Sequence, residues 1–96
     1  MLIETEFGSF EMIKNHRDAF DLLKFQERYV KVAFDRYTYL VGDMSSGLLR
    51  IKGFNQDPKS KNGFRRIPDY LNESCNYNCP YYILKRVKND AEDLID

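Results

Sequence analysis

Residues Tyr37 to Phe54 read YTYLVGDMSSGLLRIKGF, two runs rich in β-branched, aromatic and aliphatic residues separated by a short polar stretch with a glycine. That pattern specifies two antiparallel strands joined by a tight turn, and the rest of a short chain must pack around them. Successive side chains on a strand point to opposite faces, so the turn length decides which residues share a face. A four-residue turn, Met44 to Gly47, pairs Asp43 with Leu48, Val41 with Arg50, Tyr39 with Lys52 and Tyr37 with Phe54. One face then carries Tyr37, Tyr39, Arg50, Lys52 and Phe54, aromatic and basic together. Thr38, Leu40, Leu49 and Ile51 form the other face, the natural core side. A turn one residue longer or shorter would part the tyrosines from the cations.

Ahead of this stretch, Gly8 and Ser9 interrupt an apolar-alternating segment and suit a two-residue hairpin turn between strands at about 2–7 and 10–14. The symmetric register sets Glu6 against Glu11, an unfavourable pairing. From Asp18 or Asp21 the period changes to three and four. Lys24, Glu27, Arg28, Lys31 and Asp35 fall on one line, while Leu22, Leu23, Phe25, Tyr29, Val30, Val32, Ala33 and Phe34 fill the remainder. This predicts one long amphipathic helix that buries most of its circumference, with a Glu27–Lys31 surface pair. Beyond Phe54, NQDPKSKNG (55–63) follows neither period and is expected to be a mobile loop. Pro68 suits the first turn of a short helix over 68–74, held down by Tyr70 and Leu71. YYILKRV (81–87) reads as a last strand, and the tail from Lys88 is expected to fray. The predicted order is β-β-α-β-β-short α-β, an α+β fold with a mainly antiparallel sheet.

The sequence has 96 residues, enough for one core, so a single domain over 1–88 with a tail at 89–96 is expected. Fifteen basic and 15 acidic residues cancel, so no overall field draws the chain to nucleic acid or an anionic membrane. No apolar run approaches the roughly 18 residues of a membrane span, and MLIETEF does not resemble a secretory signal. A cytoplasmic monomer is the expectation.

Three separate segments together resemble a known family. YTYLVGD followed by GLLRIKGF, then DYLNESCNYNC ahead of an aromatic strand, and FEMIKNHRDAF at Phe10 to Phe20, are similar to the YutD-like family of small proteins from low-GC Gram-positive bacteria. The resemblance covers about residues 1–88. It implies a small cytoplasmic α+β domain without an assigned reaction, cofactor or ligand. It also places His16, Arg17, Gly42, Asp43, Gly53 and Asn76 among motif residues of unassigned role. Met44 and Ser45 depart from the aromatic and glycine that relatives tend to carry there.

Chemistry-bearing residues are few. Cys75 and Cys79 close a loop too short for a strongly stabilising disulfide, and a cytoplasmic poise keeps such pairs reduced. A closed zinc site needs four ligands, and His16 is the only other soft ligand, so no metal site is expected. The plain reading of the two thiols is a pair of small buried side chains at a helix-to-strand corner. A thiol-based redox or metal-responsive role for Cys75 and Cys79 is the alternative. His16-Arg17-Asp18 matches three letters of a kinase catalytic loop without any other kinase element. Neither a nucleophile elbow nor a phosphate-binding glycine loop is present. The chain therefore reads as a non-enzymatic binding or regulatory domain without a cofactor. Its candidate surface is the face of Tyr37, Tyr39, Arg50, Lys52 and Phe54, and its partner a protein or single-stranded RNA, because rings stack on bases while Arg and Lys meet phosphates. Simple packing of the rings with snorkelling of the cations is the competing reading.

Overall fold

The computed structural model describes residues 1–45, 47–74 and 79–87. Its centre is a five-stranded antiparallel sheet in the spatial order β1-β2-β5-β3-β4. β1 (Leu2–Thr5) and β2 (Gly8–His16) make the first hairpin, and β3 (Tyr39–Ser45) and β4 (Leu48–Phe54) the second. The last strand, β5 (Tyr81–Arg86), lies between the two hairpins and bonds to β2 on one side and β3 on the other.

The first hairpin turns at Glu6-Phe7 rather than at Gly8-Ser9. Thr5 pairs with Gly8 and Leu2 with Glu11, which removes the Glu6–Glu11 conflict. Gly8 adopts a φ of 116°, beyond the reach of other residues, and so opens β2 directly.

The expected long helix does not form. α1 (Leu22–Arg28) and α2 (Lys31–Phe34) are separate, because Tyr29 and Val30 are extended. Asp21 caps α1 by accepting from the Lys24 amide at 3.1 Å. The break has a physical cause in Arg86, which no helical pattern could reveal. Its guanidinium donates to the Tyr29 hydroxyl (2.7 Å) and to the carbonyls of Phe34, Tyr37 and Phe7 (3.2, 3.1 and 3.2 Å). Tyr29 in turn donates to Asp35 at 2.6 Å. With the chain bent here, one guanidinium satisfies the Tyr29 hydroxyl and carbonyls from three separate segments. Leu22, Leu23, Val30 and Val32 are consequently exposed rather than buried, and the ion pair that forms is Lys31–Asp35 at 3.3 Å.

Both faces of the sheet carry a core. On the helix side, Phe25 and Tyr29 meet Phe10, Leu40, Leu49, Tyr82 and Leu84. On the opposite side, a 3-10 turn at Phe64–Arg66 leads into α3 (Ile67–Ser74), and Ile67 buries Val41 and Phe54 with help from Tyr39, Tyr70 and Leu71. The 55–63 loop has its own hydrogen bonds: Asn55 donates to Asn62 O at 2.7 Å and to the Ser60 hydroxyl at 2.8 Å, and Phe64 donates to Asn55 O at 2.9 Å. A Cβ at Gly63 would lie 2.2 Å from the Asp57 carbonyl, so only glycine closes this ring. Among the described residues, no helix is long and apolar enough to cross a membrane.

Candidate functional site

The second hairpin pairs Ser45 with Leu48, Asp43 with Arg50, Val41 with Lys52 and Tyr39 with Phe54. Two residues separate the strands instead of four. Because the register moves by two positions, parity is kept, and Tyr39, Arg50, Lys52 and Phe54 still share one face. Asp43 joins them there.

Tyr37 does not. It precedes β3, and its ring packs against the helix-side core, where it lies across Gly53: a Cβ on that glycine would come within 2.1 Å of the ring. Arg36 covers it, with the guanidinium 4.9 Å from the ring centroid and a 3.0 Å hydrogen bond to its hydroxyl. Gly53 thus has a packing role, and so does Gly42, across which Tyr82 lies at a distance no Cβ would permit.

Three side chains from β3, β4 and α3 meet at the buried Asp43 carboxylate. Arg50 donates from Nε and Nη2 to Oδ1 at 3.0 and 2.8 Å, and the Tyr70 hydroxyl donates to Oδ2 at 2.7 Å. Asp43 is fully buried while the Arg50 side chain is 47% exposed, so the carboxylate is desolvated and the guanidinium bridges it to water. Burial, reinforced by the bond to Asp43, pushes the Tyr70 phenol up to about 12. The bond to Asp43 likewise raises the Arg50 guanidinium above its ordinary value.

Around this centre the rings and cations interleave. Lys52 Nζ lies 5.8 Å from the ring centroids of both Phe54 and Tyr70, and Lys85 Nζ lies 5.9 Å from that of Tyr39. The ring faces themselves are taken. Tyr39 stacks on Phe64 at 5.3 Å, and buried Phe54 meets Tyr70 edge-on at 5.7 Å. The surface therefore presents cations above packed rings rather than rings open to a stacked base.

Reading by strand parity missed Phe64, Tyr70 and Lys85, which reach the face from other elements. One signal was available: residues 50–66 hold Arg50, Lys52, Lys59, Lys61, Arg65 and Arg66 against the single acid Asp57, a local basic run that the balanced total conceals.

The remaining candidates lie elsewhere. His16, at the end of β2, stacks on Tyr81 at 5.0 Å, and Arg17 follows in a left-handed turn. Cys79 is half-buried and disulfide-bonded, not the reduced, buried side chain expected. Cys75 and Asn76 lie outside the described residues. Among the described residues no group of three or more His, Cys, Asp or Glu side chains is placed to hold a metal ion.

Comparison with known proteins agrees with the family resemblance. The family model described as "Putative antitoxin YutD-like" matches residues 4–85. The "Putative antitoxin YutD" of Bacillus subtilis (strain 168) is 35% identical over 91 residues, spanning 91% of this chain and 99% of that protein. The solution NMR structure of protein yutD from B. subtilis superposes with a TM-score of 0.76 at 34% identity, covering 93% of this chain and 84% of that one.

Proposed function

The chain belongs to the YutD-like family, and from that premise we propose that it is a non-enzymatic cytoplasmic binding domain whose aromatic-basic face holds a partner protein. The observation that carries this reading is the set of cations over packed rings: Lys52 above Phe54 and Tyr70, Lys85 above Tyr39. Cations held in this way present charge at a fixed position with little further ordering on binding. Single-stranded RNA, the other partner that such a composition suits, needs open ring faces for stacking. Here Tyr39 is covered by Phe64 and Phe54 is buried. The description of the relatives as putative antitoxins also suits a protein that is bound and neutralised rather than a substrate that is transformed.

The test keeps Arg50 intact, since truncating it would strip a buried carboxylate of its charged partner and confuse folding with binding. Lys52→Glu with Lys85→Glu reverses the charge at positions without such a debt. Tagged wild-type protein expressed in its own host is expected to retain a specific protein partner that the double variant loses. Labelled single-stranded RNA titrated at low and moderate salt is expected not to bind. Retention of the same partner by the folded double variant refutes the face, and RNA binding that survives moderate salt refutes the choice of partner.

A further inference from the structure

We infer that the cleft between the β2–α1 turn and the far end of the second hairpin is a binding site for a zwitterionic amino acid with a large apolar side chain. It lies on the helix side of the sheet, so it is independent of the partner-binding face. The cleft encloses about 410 Å³, inside the range of small-molecule sites. Arg17, Asp18, Asp21 and Lys24 form its rim, and Phe20, Met44 and Leu49 its apolar wall. All four rim residues are exposed and none enters an ion pair among the described residues, although Asp21 also accepts from the Lys24 amide. Two cations and two carboxylates around an apolar wall match a ligand that carries a carboxylate, an ammonium and a hydrocarbon or ring, with no net charge of its own.

The rim is built rather than incidental. Arg17 and Asp18 have φ of 59° and 53°, two consecutive residues in the left-handed region that L side chains enter rarely. Reversing the chain alone would be easier with glycine. The turn is fixed from inside, since the Asn15 side-chain oxygen accepts from the Phe20 amide at 3.1 Å.

A second observation lies behind the wall. The Tyr82 hydroxyl is buried without a hydrogen-bond partner, the one such side-chain atom found among the described residues. Its ring touches that of Phe20, with centroids 5.0 Å apart. A buried hydroxyl left unpaired is costly and calls for a reason. A shift of Phe20 on ligand entry would bring this donor to the ligand.

The experiment is a titration of isotope-labelled protein with L-phenylalanine up to about 10 mM, followed by NMR. Saturable shifts are expected at the amides of Arg17, Lys24 and Leu49. The methyl ester and the N-acetyl derivative, each lacking one charge, are expected to bind at least tenfold more weakly. Arg17→Gly should lose at least tenfold in affinity while melting no lower than the wild type, and Tyr82→Phe should weaken binding without loss of stability. Should Arg17→Gly melt lower, Lys24→Gln on the exposed side of α1 provides the same loss of a rim cation. No saturable shift with the free amino acid, equal affinity for either masked derivative, or unchanged binding in the folded rim variants overturns the assignment.

Discussion

The two faces of the sheet are held down by different means. On the helix side, Phe25 and six other buried residues, three of them aromatic, form one cluster, and the adhesion is a matter of apolar area. On the α3 side the buried apolar cluster among the described residues is Val41, Phe54 and Ile67, and the buried Asp43 carboxylate sits beside them, bonded to the helix above and to the strand next to it. Apolar contact tolerates small displacements, whereas the Asp43–Tyr70 bond is satisfied in one placement of α3 only. The thinner core therefore has the more specific fastening, and that fastening lies beneath the proposed binding face.

The contrast can be broken at its strongest point. Phe25→Ala leaves a cavity in the helix-side core and is expected to cost about 3–5 kcal/mol in urea unfolding. An equal loss from Ile67→Ala would remove the asymmetry. Next in size is Tyr70→Phe, which deletes one hydrogen bond to a buried charge, with an expected loss of about 1.5–3 kcal/mol. The same change at Tyr82, whose hydroxyl has no partner, is expected to be neutral or slightly stabilising. Comparable losses at both positions would refute the distinction between the two hydroxyls.

Alkaline titration sharpens it further. The Tyr70 phenol is raised in the folded state, so its contribution is complete below its ordinary value near 10 and is lost as pH rises through about 12. The stability advantage of the wild type over Tyr70→Phe should therefore shrink across that window. The smallest effect belongs to the α1–α2 bend. The hydrogen bond from Tyr29 holds the Asp35 carboxyl below its ordinary value of 3.8, so its contribution is present above that value and fades as pH falls through the lower, folded one. Lys31→Ala, which breaks only the exposed pair to Asp35, should change stability by a few tenths of a kcal/mol up to about 1 at neutral pH.

The sequence carried the β content, the antiparallel order and the shared face of Tyr39, Arg50, Lys52 and Phe54, because these follow from local alternation. Turn length escaped it, yet the error of two residues was harmless where an error of one would have been fatal. What could not be read locally was decided by partners far along the chain. Arg86 breaks the helix from 57 residues beyond Tyr29, and Tyr70 reaches Asp43 across 27. Tyr37 looked like a strand position until Gly53, with no side chain of its own, made room for its ring on the other side. Apolar residues at helical spacing promised burial for Leu23 and Val32, but a bent helix cannot turn all of them inward.

The position of β5 has a consequence for how the fold is reached. Neither hairpin touches the other as a strand neighbour; the sheet becomes continuous only when residues 81–86 slot between β2 and β3. Until then each hairpin offers an open edge able to recruit a foreign strand. Assembly must also wait for contacts spanning some 70 residues, which slows folding relative to local pairing. A ribosome-bound chain stopped before residue 81 would thus hold two unjoined ribbons, and a peptide of β5 supplied in trans is the natural splint with which to join them.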